Sequence, residues 1–270
     1  MRKKVGLALG SGAARGLAHI GVLEVMEREG ISVDMIAGTS VGAAVGALYA
    51  QGNNASQIKG LAMNMGWKKL VPLMDLALPR TGFIGGRKVK ELMGSIVDDV
   101  KFEDLKIPFS CVAADIMTGE EVVINQGSVL EGVRASISLP IIFTVVKREG
   151  RYLVDGGLVN PVPVSVVKQM GADIIIAVNV IPDVRERSHW VDKEGKEGAK
   201  EPHIFSIMMQ SIYIGTYSLV KSSFEEADIV IEPQMAHIGG GDFHRAQECI
   251  SRGELAAQAS ILEIKRRLQA

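Results

Sequence analysis

Twice within the first fifty residues, a short apolar, β-rich run breaks into a glycine-bearing turn that opens directly onto helical spacing. Few folds accept that pattern. Lys4 to Leu9 leads into Gly10-Ser11-Gly12-Ala13-Ala14-Arg15-Gly16, after which Leu17, Ile20, Val22, Leu23 and Met26 recur at helical spacing until Gly30, a natural helix stop. Asp34 to Ala37 then leads into Gly38-Thr39-Ser40-Val41-Gly42. Val41 to Gln51 reads as a helix small enough on all sides to be buried. A β-α-β-α start of this kind predicts a three-layer α/β/α domain around a largely parallel sheet, with both turns at the carboxyl ends of their strands, where such sheets place ligands.

The remaining chain supports one unit, residues 1–270. Ser56 to Asn64 is helical, and Trp67 to Gly86 is an irregular apolar stretch broken by Pro72, Pro79 and glycines. Arg87 to Val97 returns to helical spacing. Phe109 to Ala114 and Glu121 to Asn125 read as strands flanking Met117-Thr118-Gly119, and Ser128 to Ser138 as a helix stopped by Pro140. A hairpin follows around Glu149-Gly150, and Pro161 and Pro163 suit a helix start. Ile174 to Val180 is the fully apolar run expected of a strand covered on both faces. Asp183 to Pro202 is a charged linker. A long helix, a short strand at Ile229 to Ile231, a Gly239-Gly240-Gly241 loop and a helix from about Arg245 close the chain.

Composition removes several classes of function. The 270 residues carry 30 Lys and Arg against 31 Asp and Glu, a formal net charge of -1, so there is no basic field for nucleic acid. The two cysteines, Cys111 and Cys249, show neither disulfide-framework nor zinc-ligand spacing. No metal or organic cofactor is implied, and a reducing, cytoplasmic setting fits. Met1-Arg-Lys-Lys and the apolar run after it imitate a signal peptide, but Gly6, Gly10 and Arg15 interrupt the pattern. The charge-free stretches Met35 to Ile58 and Ile204 to Val220 are too polar or too short to span a bilayer. Membrane contact is expected to be peripheral at most.

Three turns carry chemistry. Gly38-Thr39-Ser40-Val41-Gly42 fits G-x-S-x-G in the strand-turn-helix setting that makes a serine a nucleophile, although a Gly-Ser turn opening a buried helix would look the same. Gly10 to Gly16 presents backbone N–H groups and a helix start to a negative charge, either a dinucleotide pyrophosphate or the oxyanion of an acyl-transfer intermediate. The third glycine is one place late for G-x-G-x-x-G, and no acidic residue ends the second strand, so the oxyanion reading is favoured. In Val154-Asp155-Gly156-Gly157 an aspartate leaves a strand into two glycines; alone it is an ordinary turn, but beside the other two loops it offers a base to Ser40.

In their order and combination, these loops resemble the patatin-like phospholipase family, in particular its bacterial branch related to neuropathy target esterase, over about Val5 to Val180. The resemblance implies a Ser-Asp dyad without histidine: Ser40 as nucleophile, Asp155 as base, and Ser11, Gly12 and Ala13 as oxyanion-hole residues. It places Arg15 as the basic residue of the glycine-rich motif, near a substrate head group. The implied substrates are phospholipids, lysophospholipids or other long-chain acyl esters, with a thioester as a variant. Ser11 and Ala13 depart from the glycines common in the family, and a donor there that needed positive φ would be strained. Ser136-Ile-Ser-Leu-Pro140 also resembles the family, without a chemical role that the sequence supplies.

Other readings stay open. His237 and His244 follow Asp155 in the chain order of an α/β-hydrolase triad. His19 is expected to pack or to bond backbone, His189 and His203 to be solvated, and Asp115 to serve a turn. Met63, Met65, Met74 and Trp67 offer adaptable apolar surface, and Trp67 to Gly86 is expected to form a mobile cover over an acyl groove. A non-catalytic lipid- or protein-binding regulator on the same scaffold would have lost Ser40 or Asp155, and this chain keeps both.

Overall fold

A computed structural model describes residues 2–64, 94, 100–183 and 204–269. The expected cover at Trp67 to Gly86, all but residue 94 of the helix at Arg87 to Val97, nearly all of the charged linker, and His189 and His203 lie outside the described residues. Eight strands form one sheet: β1 Val5–Leu9, β2 Met35–Thr39, β3 Phe109–Asp115, β4 Glu121–Ile124, β5 Val146–Arg148, β6 Arg151–Asp155, β7 Ile174–Val178 and β8 Ile229–Ile231. Hydrogen-bonded neighbours run β5-β6-β3-β2-β1-β7-β8, with β4 also on β3. The β3-β2-β1-β7-β8 part is parallel, and β4, β5 and β6 add antiparallel pairings.

Alternation along the strands divides the interior into two cores. Val5, Leu7 and Leu9 of β1 face one core with Ile174, Ile176 and Val178 of β7. Ala8, Ile175 and Ala177 face the other. Helices cover both faces, which is why the central strands read as unbroken apolar runs. The first core is packed by α1 Ala18–Arg28, α2 Val41–Ala50, α3 Ala55–Asn64, α4 Val129–Ser136 and α7 Ala246–Gln269. The second is packed by α5 Val164–Gln169 and by α6 Ile204–Phe224. The outcome is the expected three-layer α/β/α arrangement. No described helix is long and apolar enough to cross a membrane.

One detail of register governs the site. Val112 of β3 pairs with Thr39 of β2 and Val123 of β4, whereas the next residue, Ala113, pairs with Asp155 of β6 and Val122 of β4. A strand residue has one neighbour on each side, so β4 occupies one edge of β3 while β2 and β6 share the other in succession. Because β2 runs parallel to β3 and β6 antiparallel, their carboxyl ends meet head-on along that edge. Ser40 leaves the first end and Asp155 closes the second.

Candidate active site

Ser40 stands between β2 and α2 with φ 58 and ψ −125, a left-handed backbone that costs a residue bearing a Cβ of the order of 1–3 kcal/mol and persists because the surroundings fix it. Gly42 makes that turn sterically open. A Cβ on it would lie 2.2 Å from the Leu9 carbonyl oxygen, so any side chain would push α2 away from β1. The Ser40 carbonyl accepts from the N–H groups of Ala43 and Ala44, and the Ser40 N–H donates to Ser136 Oγ at 2.9 Å.

The Ser40 hydroxyl donates to Asp155 Oδ2 at 2.5 Å. Asp155 Oδ1 accepts the Gly157 N–H at 2.8 Å, and the Asp155 N–H donates to the Ser138 carbonyl at 2.9 Å. Burial is the dominant influence on this carboxyl and drives it up to about 6, against the opposing pull of the bonds from Ser40 and Gly157. It is therefore mostly ionised at neutral pH yet basic enough to take a proton.

The Ser136 to Pro140 run, to which the sequence assigns no chemical role, clasps both ends. Ser136 Oγ holds the Ser40 amide and the Ser138 carbonyl holds that of Asp155. Arg134, buried, donates from Nη1 to Ser138 Oγ at 2.5 Å and from Nη2 to the Thr144 carbonyl at 2.9 Å, stapling the segment. The only hint of this in sequence was the run's resemblance to the family.

The glycine-rich loop is tied down almost everywhere. Gly10 N–H donates to Val178, Ser11 N–H to Pro161 at 2.8 Å, Ala14 N–H to Gly240 and Arg15 N–H to Gly12. His19 is wholly buried and driven down to about 4, so its ring is neutral; Nε2 must carry the proton it donates to the Gly10 carbonyl at 2.7 Å. The expectation of a backbone bond rather than catalysis fits that geometry. Of the three anticipated donors, only the Gly12 and Ala13 N–H groups have no partner among the described residues. The Ser11 amide is already committed to Pro161. Ala13 adopts φ 50, the strained geometry foreseen for a residue other than glycine.

Arg15 is placed differently from the expectation. It is 1% exposed, its Nε donates to the Ile238 carbonyl at 2.7 Å, and its guanidinium lies 5.2 Å from the centre of the Tyr213 ring. It secures the loop before α7 beneath the glycine-rich turn and does not line the cleft, so contact with a head group is not what this geometry offers. The triad histidines are also engaged elsewhere or absent from the cleft: His237 Nε2 bonds Glu248 Oε1 at 2.7 Å, and His244 sits in the turn Phe243–Arg245. Asp115 Oδ1 accepts the Met117 N–H, a turn role as expected.

Ser40, Asp155 and the glycine-rich turn line a small cleft of about 30 Å³, walled by the apolar side chains of Leu139, Leu158, Ile181 and Ile212. A larger concavity of about 740 Å³, beside Phe102 and Phe109 at the amino end of β3, is remote from these groups.

Fold and site together define a class: a three-layer α/β protein with a serine-aspartate pair where two strands of a largely parallel sheet end. Residues 7–168 match the patatin-like phospholipase model, and the chain belongs to that family. An uncharacterised NTE family protein of Mycobacterium tuberculosis is 35% identical over 177 residues, 66% of this chain and 49% of that protein. Patatin-like phospholipase domain-containing protein 6 of Homo sapiens is 37% identical over 183 residues, 65% of this chain and 13% of that protein. Lysophospholipase NTE1 of Pyricularia oryzae is 36% identical over 181 residues, 66% of this chain and 12% of that protein. The chain thus matches about half, or much less, of the length of these relatives. Among solved structures, VipD from Legionella pneumophila shares the fold, with a TM-score of 0.60 at 13% identity over 99% of this chain and 67% of that one.

Proposed function

We propose that this protein is a serine acyl hydrolase that cleaves lipid acyl esters, phospholipids or lysophospholipids, through a Ser40–Asp155 dyad. The observation that carries the reading is the direct bond from Ser40 Oγ to Asp155 Oδ2, with two backbone donors that have no partner among the described residues lining the same cleft. Asp155 accepts the hydroxyl proton as Ser40 Oγ attacks the ester carbonyl. The oxyanion so formed meets the N–H groups of Gly12 and Ala13 and the positive amino end of α2. Collapse expels the alcohol with the proton from Asp155, and water then releases the acyl group. Aspartate alone suffices as base because burial has raised it to about 6, where it still accepts a proton while ionised at pH 7.

The apolar side chains that wall the cleft suit contact with an acyl chain, and the names of the relatives point to phospholipid and lysophospholipid substrates. Attachment to a membrane surface and a cytoplasmic location belong to the same proposal. The test is release of fatty acid from micellar lysophospholipid by the purified protein. Activity in the wild type that is abolished in Ser40→Ala supports the reading, and equal release by that variant overturns it.

A further inference from the structure

Ser11 has given its backbone N–H to Pro161, so what it offers the cleft is its hydroxyl. The residue is 8% exposed, lines the same cleft as Ser40 and Asp155, and its Oγ has no hydrogen-bond partner among the described residues. The hydroxyl oxygen is not sealed from solvent, so water in the cleft reaches it. Its position is informative. The point that a Cβ on Gly157 would occupy lies 3.0 Å from Ser11 Oγ and 3.0 Å from Asp155 Oδ1, so the two oxygens are within twice that distance of each other, and no side chain stands between them. They do not bond directly, and a water that bonds to both is the simplest link between two polar atoms so placed. Asp155 Oδ2 is turned to Ser40 and Oδ1 to this gap.

We propose that Ser11 is a catalytic residue of the second half-reaction: its hydroxyl and Asp155 Oδ1, facing each other across the bare α-carbon of Gly157, hold the water that hydrolyses the acyl-enzyme. This rests on the hydrolase reading above. With Ser40 esterified, Asp155 no longer receives the Ser40 proton and is free to act on water. The water oxygen bonds to the acyl carbon as one of its protons passes to Asp155. The resulting oxyanion sits on the same N–H donors as before. The bond from the acyl carbon to Ser40 Oγ then breaks, Ser40 takes the proton back from Asp155, and a carboxylic acid leaves. Ser11 Oγ acts on the water alone, fixing its orientation, and is not needed for the first attack.

Pre-steady-state hydrolysis of a p-nitrophenyl ester separates the halves, because the burst reports acylation and the steady rate reports deacylation. In Ser11→Ala the burst rate should stay within about threefold of the wild type while the steady rate falls about tenfold or more, with the acyl adduct accumulating on Ser40 by mass spectrometry. Hydroxylamine, a strong nucleophile that needs no base, should restore turnover of that adduct, and Ser11→Thr, which keeps a hydroxyl, should keep much of the steady rate. A burst that slows in step with the steady rate would assign Ser11 to acylation and overturn the proposal. Unchanged rates in both phases would make the hydroxyl a spectator and overturn it too. A wild-type protein that never forms an adduct on Ser40 would instead overturn the hydrolase reading beneath it.

Discussion

Asp155 is the residue where function and stability oppose each other. Its carboxyl stands at about 6 in the fold against 3.8 for the free group, so the contribution to stability is fully present below 3.8 and is lost as pH rises through 6. At 1.36 kcal/mol for each tenfold change in proton affinity, the rise corresponds to roughly 3 kcal/mol. Asp155→Asn should therefore gain stability over the wild type at pH 8, by up to about that amount, with the gap closing toward pH 4 in denaturant titrations. The same variant should lose about 10⁴-fold or more in kcat/KM, since the base itself is gone. In the wild type, kcat/KM should rise with pH through an apparent pKa near 6. A flat profile between pH 5 and 7 would contradict Asp155 as the base. Ala13, like Ser40, holds a strained backbone. Ala13→Gly relieves φ 50 without touching the backbone donor and should leave activity in place, with stability unchanged or raised by up to about 1 kcal/mol.

At the scale of elements, the site exists because β2 and β6 end against each other on one edge of β3 and a single segment, Ser136 to Pro140, ties both ends. Ser136→Ala leaves the Ser40 N–H buried without an acceptor, a loss of about 1–3 kcal/mol. Because that amide anchors a strained turn, kcat should fall by tenfold or more with KM little changed, and thermal melting together with steady-state kinetics checks both effects. The strand-turn-helix units around Ser40 and the glycine-rich loop were legible in sequence since each is local: an apolar run, small residues, then helical spacing. The clasp was not. It joins Ser136 to Ser40, 96 positions earlier, and serines in a helix end carry no periodic signal of what they will bond.

Across the whole molecule, the carboxyl-terminal part acts as a brace. Arg15 reaches Ile238, 223 positions away, so the basic residue that the family resemblance set near a head group is buried by the fold beneath a distant loop. The α1–α7 contact is equally tight: a Cβ on Gly253 would lie 2.0 Å from the Ala18 carbonyl oxygen. Gly253→Val should force the helices apart at a cost of about 1–3 kcal/mol or more, read as a melting point lower by several degrees. Histidine remains the alternative base in an account of this kind, and His237, held by Glu248, is where that alternative would reside. The decisive measurement is fluorophosphonate labelling followed by mapping of the adduct in the wild type, Ser40→Ala, Asp155→Asn and His237→Ala proteins, each shown to be folded. The dyad predicts one adduct, on Ser40, formed at near wild-type rate in His237→Ala, slowed severely in Asp155→Asn and absent in Ser40→Ala. Full labelling of Ser40→Ala, or loss of labelling in folded His237→Ala, would contradict it.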